Sequence, residues 1–167
     1  MIEFQEVVTI PDALDASRFE VKFGTVPGGA DGYQLGLRHG TGTFPAAAIA
    51  QVSAKFPGGH SRRFRGGSAT DGTWSLTFIE DQTGFVAKSF RKWLKKCRDS
   101  KTSKSSLKKD YAIDVEVIWY DTVGDEALTY EVKGIFPLSV EKPTSSENSG
   151  PAQITVTFSL DSMDLKD

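Results

Sequence analysis

The chain is poor in the residues that most chemistry requires. It carries one cysteine, Cys97, and two histidines, His39 and His60. A single thiol excludes an internal disulfide framework and any multi-cysteine metal site, so the fold must hold by packing and backbone hydrogen bonds, consistent with a reducing compartment. Both histidines lie in a Gly-rich region with no Cys or His at metal-ligand spacing, which reads as loop residues and not as ligands. No Gly-x-Ser-x-Gly elbow and no Walker loop is present. Gly40-Thr41-Gly42-Thr43-Phe44-Pro45 begins like a dinucleotide fingerprint but has Pro where the third Gly belongs, and no βαβ unit surrounds it. No apolar run approaches the roughly 20 residues that cross a bilayer. The first residues, Met1-Ile2-Glu3-Phe4-Gln5-Glu6, are acidic where a signal peptide is basic. The expectation is a soluble non-enzyme with no metal, no cofactor, no membrane anchor and no export signal.

Net charge is −2, but the charges are segregated. Residues 1–87 hold seven Lys/Arg against nine Asp/Glu, residues 88–109 ten against one, and residues 110–167 three against twelve. A nucleic-acid-binding domain shows its basic excess in the total, so opposed, complementary surfaces are the better reading. The length suits one domain spanning residues 1–167, with flexible ends at 1–16 and 162–167.

Phe19, Val21 and Phe23 alternate with Glu20 and Lys22, the period of a strand with one dry face. Turn-forming residues follow at 24–32, and a short second strand at 33–38 would complete a hairpin. Residues 39–72 read as a long loop rich in Gly and Ala. Its isolated Phe44, Phe56 and Phe64 suit a solvated loop poorly, so it is expected to have a job. Within it, Arg62, Arg63, Phe64 and Arg65 either contact nucleic acid, with Arg on phosphates and Phe on bases, or form a charged hairpin that docks on an acidic neighbour.

Trp74, Leu76 and Phe78 alternate with Ser75 and Thr77 in the next strand. A helix follows at 82–98, with Phe85, Phe90, Trp93, Leu94 and Cys97 on one side and Lys88, Arg91, Lys92, Lys95 and Lys96 on the other. Glu80 and Asp81 at its start suit the helix dipole, and Cys97 on the apolar stripe reads as a small buried hydrophobe. After a solvated linker at 99–109, a second hairpin joins a strand from Tyr111 to Trp119 with one through Leu128, Tyr130, Val132 and Phe136, across the turn Asp121-Thr122-Val123-Gly124-Asp125. A polar loop at 143–151 precedes a last strand through Ile154, Val156, Phe158 and Leu160. The acids Asp110, Asp114, Glu116, Asp121, Asp125 and Glu126 read as the wet face of strands; a glycosidase-like pair is the lesser alternative. Six or seven strands and one helix define a mostly β, or α+β, domain.

In their order and spacing, these segments resemble the tail tube proteins of contractile-tailed bacteriophages, and less closely the inner-tube proteins of contractile injection systems. The resemblance spans residues 19–161. It rests on Phe19-Glu20-Val21; Thr43-Phe44-Pro45; Asp71-Gly72-Thr73-Trp74-Ser75-Leu76-Thr77 leading to a helix with Phe90 and Trp93; Tyr130-Glu131-Val132-Lys133-Gly134-Ile135-Phe136-Pro137; and Ile154-Thr155-Val156-Thr157-Phe158 before Asp161. It implies a sheet-rich domain with an outer helix, closing a β-barrel in six-membered rings that stack into a hollow conduit for genome ejection. The implied partners are further copies of the chain, a contractile sheath, a tape-measure protein in the lumen, and baseplate and tail-terminator proteins. DNA would pass without specific binding. The implied location is the virion, after synthesis in the host bacterial cytoplasm. A baseplate tube initiator, an injection-system tube protein and, more distantly, a monomeric nucleic-acid-binding module are the alternatives. On this reading Lys88, Arg91, Lys92, Lys95 and Lys96 face the sheath. Residues 41–67, with Phe44, Phe56, Arg62, Arg63, Phe64 and Arg65, reach the adjacent ring. Thr155, Thr157 and Ser159, or the Asp114 and Glu116 face, line the lumen.

Overall fold

The computed structural model describes residues 11–68, 72–99, 102, 105–145 and 149–167. Among them are nine strands: β1 (Phe19–Phe23), β2 (His39–Thr43), β3 (Ile49–Lys55), β4 (Ser61–Ser68), β5 (Thr73–Ile79), β6 (Ile113–Tyr120), β7 (Glu126–Val140), β8 (Gln153–Ser159) and β9 (Ser162–Leu165). Three helices accompany them: α1 (Gly32–Gly36), α2 (Phe85–Cys97) and α3 (Lys108–Tyr111).

The strand order is β1-β6-β7-β8-β5-β2, with β9 added to β7, and β3 and β4 form a separate two-stranded sheet. The pivot is β7, which is 15 residues long. Its first half pairs with β6 and β9, and its second half, from Phe136, with β8. Gly134 sits at the change of partner with φ 66°, a backbone state that disfavours any Cβ. One sheet thus folds into two layers that face each other.

The alternation seen in the sequence decides what lies between them. Val21, Val115, Val117 and Val132 of one layer meet Trp74, Leu76, Phe78, Ile154, Val156 and Phe158 of the other, all buried. The ring centroids of Phe23 lie 6.1 Å from Phe78 and 6.3 Å from Phe158. Helix α2 closes the open side of this core with Val86, Phe90 and Trp93, Phe90 lying 5.0 Å from Phe78. The indole Nε1 of Trp93 donates to Tyr111 O at 2.6 Å, tying α2 to α3.

Four expectations are corrected. Residues 32–36 are helical and form no hairpin with β1, which pairs with β6 instead. Gly32 and Gly36 let α1 lie against the β1 backbone; a Cβ on Gly36 would stand 2.6 Å from Val21 O. Residues 39–68 are no loop but β2 followed by the β3–β4 hairpin. His39 is no loop residue: it opens β2, with Nδ1 on Gly36 O and Nε2 on Phe19 O at 3.1 Å. Residues 162–165, expected within a loose end, add β9 to β7. The count therefore rises to nine strands and three short helices among the described residues, still sheet-dominated.

Candidate assembly surfaces

Three surfaces stand out, and the two-layer core sets where each points. The first is the outer face of β2, β5, β8 and the second half of β7. Because Trp74, Leu76 and Phe78 point inward, Thr73, Ser75 and Thr77 point out, beside Thr155, Thr157 and Ser159 of β8. Register carries the row across four strands: Thr43 opposes Ser75, Ser75 opposes Thr157, and Thr157 opposes Ser139. Hydroxyls touch along it, Ser75 Oγ to Thr157 Oγ1 at 3.2 Å and Thr77 Oγ1 to Thr155 Oγ1 at 3.5 Å. None of these outward residues is charged. Sequence reading found only the β8 strand of this face; the alternation in β5 was the signal for Ser75 and Thr77.

This four-stranded layer also ends openly on both sides. No strand lies beyond β2, and residues 136–140 of β7 pair with β8 alone, among the described residues. In the other layer α1 lies against β1, while β9 pairs with β7 alone among the described residues. The sheets are not closed within one chain.

Asp114 and Glu116 lie on the far side of the molecule from the hydroxyl face, because Val115 and Val117 between them point into the shared core. Both are engaged within the chain. Asp114 accepts from Gly134 N at 2.8 Å, and Glu116 pairs with Lys166 at 2.8 Å. The hydrogen bond from Lys166, then its charge, lowers the Glu116 pKa and raises that of Lys166. Nearby, Tyr120 donates to Glu20 at 2.7 Å and is pushed up to about 12, mainly by that bond.

The second surface is the outer side of α2. Lys88, Arg91, Lys92, Lys95 and Lys96 are all exposed there, opposite the stripe formed by Val86, Ser89, Phe90 and Trp93. Capping comes from both acids before the helix. Glu80 accepts from Val86 N at 3.0 Å and Ala87 N at 2.8 Å, and Asp81 from Phe85 N at 3.3 Å. The Thr83 hydroxyl, bonded to Asp81 at 2.5 Å, leads the causes that lower the Asp81 pKa to about 2, with bonds from Phe85 N, Arg38 and Thr83 N behind it. Burial pushes the Cys97 thiol up to about 11, which leaves it protonated and unreactive near neutrality.

The third is the β3–β4 hairpin. Val52 opposes Phe64 and Ala54 opposes Arg62, so Ala50, Val52, Ala54, Arg62 and Phe64 share one face, with Arg62 5.5 Å over the Phe64 ring. Gln51, Ser53, Lys55, Arg63 and Arg65 share the other. Val52 is 55% and Phe64 45% exposed, and Phe56 lies open near the turn. Among the predicted contact residues Phe44 stands apart. It precedes the hairpin and stacks on Trp74 at 5.6 Å, packed against the core.

The family described as phage tail tube protein matches residues 14–163. The chain belongs to that family. Its fold is similar to solved components of contractile injection systems at low sequence identity. With the PVC sheath–tube complex in the extended state it shares 13% identity over 99% of both chains, with a TM-score of 0.68. With the PVC sheath/tube terminator it shares 13% identity over 95% of this chain and 100% of the other, TM-score 0.71. With the tube-terminating cap of the anti-feeding prophage it shares 12% over 99% of both, TM-score 0.71. No curated protein matches the sequence.

Proposed function

We propose that this tail tube protein assembles into six-membered rings that stack into a hollow conduit for genome ejection inside a contractile sheath. The observation that carries the reading is the hydroxyl-faced layer with two open edges. An unpaired strand edge seeks a partner strand, and a neighbouring copy presents the complementary edge. Four strands per copy in a ring of six make 24 strands; at about 4.8 Å per strand the barrel is roughly 37 Å across at the backbone, before strand tilt widens it.

The face left toward the axis would carry Thr43, Ser75, Thr77, Thr155, Thr157 and Ser159. A wall of Lys and Arg would hold phosphates through counterion release; a hydroxyl wall lets a duplex, or the tape-measure protein before it, slide. With that face inward, the core geometry turns α2 outward, where its cations meet an acidic sheath surface in weak, salt-sensitive contacts. Asp114 and Glu116 then lie away from the lumen. Phe56, Arg62, Arg63, Phe64 and Arg65 on the hairpin reach the adjacent ring. Such head-to-tail contacts do not close, so the rings grow into a filament, to be bounded by baseplate and terminator proteins. Tubes built in the host cytoplasm would end in the virion.

Negative-stain microscopy of concentrated protein tests this reading: hollow rings or tubes are expected, and a uniformly monomeric field would end it. The fold likeness to injection-system tube components keeps a second reading in play, a tube that conducts protein. Packaging of DNA in tailed particles containing this chain separates the two.

A further inference from the structure

The mouth between the two layers is not filled. Phe44 and Pro45, leading into the hairpin, face Trp119, Leu128, Tyr130 and Met163 across a groove of about 310 Å³. Ring contacts organise its floor, with Trp119 lying 5.1 Å from Phe44 and 5.7 Å from Tyr130. A second hollow adjoins it along β9, about 570 Å³, where Asp161 and Asp164 stand opposite Ala48 and Ile49. Asp161 is tied to Lys108 at 2.5 Å, whereas Asp164 makes no ion pair among the described residues. Apolar floor and acidic margin thus occur side by side.

The hairpin has the converse character. The face with Ala50, Val52, Ala54 and Phe64 leaves Val52 and Phe64 exposed among the described residues and carries Arg62, whose guanidinium lies 5.5 Å over the Phe64 ring. From residue 39 to 68 the sequence holds Lys55, Arg62, Arg63 and Arg65 and no Asp or Glu, against twelve Asp/Glu and three Lys/Arg in 110–167. An isolated two-stranded hairpin is marginal in water, so this one requires a surface to lie on. Its own groove is out of reach. Pro45 and Ala47 at its root already line that groove, and Val52 stands three residues up the strand from Ile49, about 10 Å away.

We propose that the β3–β4 hairpin of one copy seats Val52 and Phe64 in the Phe44–Trp119–Leu128–Met163 groove of a second copy, with Arg62 of the same face toward Asp164 of β9. The contact is heterologous, since donor and acceptor are different surfaces, so each copy can give one hairpin and receive another. It rests on the tube reading and assigns the receiving surface that the hairpin lacked.

The test uses two full-length variants. One disables the donor, Val52→Glu with Phe64→Glu; the other disables the acceptor, Leu128→Glu with Met163→Glu. Circular dichroism confirms that each is folded, and Leu128→Lys alone serves if the double acceptor variant is not. Each variant alone should self-associate at least about tenfold more weakly than wild type. Mixed, they should form a 1:1 complex by sedimentation, because one intact hairpin and one intact groove remain, and the complex should weaken as salt rises. Unimpaired assembly of both variants, or a mixture that yields no complex, overturns the proposal. So does loss of assembly confined to the acceptor variant, which would mean that a segment other than the hairpin fills the groove. Failure of the tube reading looks different: wild-type protein would then show no rings or tubes, whether or not the mixed variants pair.

Discussion

Gly134 and Asp161 are in direct contact where β7 passes from one layer to the other. A Cβ built on Gly134 would lie 2.2 Å from Asp161 Oδ2. Asp161 N also donates to Lys133 O at 2.9 Å, and Asp114 takes the Gly134 N–H. The change of partner along β7 is therefore clamped on both sides, and the glycine is needed for conformation and space alike.

Gly134→Ala should accordingly destabilise the chain by about 2–4 kcal/mol, adding the left-handed backbone cost to the clash. Denaturant unfolding measures it. A midpoint equal to wild type would show that β7 changes layer without this constraint.

At the start of α2, Glu80→Ala removes the acceptor of two helical N–H groups and should cost about 1–2 kcal/mol. Asp81 adds a pH dependence. Its folded pKa, near 2, lies below the usual aspartate value, so the stabilisation is present above about pH 4 and is lost as pH falls through the folded value. Asp81→Asn should flatten the acid limb of the stability curve between those values. An unchanged limb would place the acid sensitivity elsewhere.

On the hydroxyl face, Thr157→Val should leave ring and tube assembly intact. Ser75→Lys with Thr157→Lys should also permit assembly yet retard passage of DNA, in a manner relieved by salt. Ejection kinetics from tailed particles provide the readout. Full-speed ejection by the lysine variant would mean that this face does not line the conduit.

On α2, reversing Lys92, Lys95 and Lys96 to Glu should abolish sheath assembly while bare tubes persist, because these side chains are exposed and take no part in the core. Electron microscopy distinguishes sheathed from naked tubes. Normal sheathed tails in the triple variant would remove the basic face from the sheath contact.

Much of this fold was legible because burial imposes periodicity. Trp74, Leu76 and Phe78, then Ile154, Val156 and Phe158, each alternate with small hydroxyl residues, and α2 announced itself through Phe90 and Trp93 against a lysine face. Residues 32–36 misled because Gly32, Leu35 and Gly36 are buried against β1, a tertiary contact that no local pattern reports. Residues 49–68 misled for the opposite reason. With neither face buried in the chain itself, the hairpin's alternation of Ala, Val and Phe with Arg and Ser is too weak to separate from a loop.

Local sequence alone determined the strands that carry the core, the helix with its caps and the segregation of charge, because each follows from side-chain period or composition. Only the tertiary structure decided which faces oppose one another. The bend of β7 at Gly134 places the hydroxyl row on one side of the core and the α2 cations on the other, and it leaves the mouth beside Phe44 open, since layer packing is set by contacts between residues far apart in the chain.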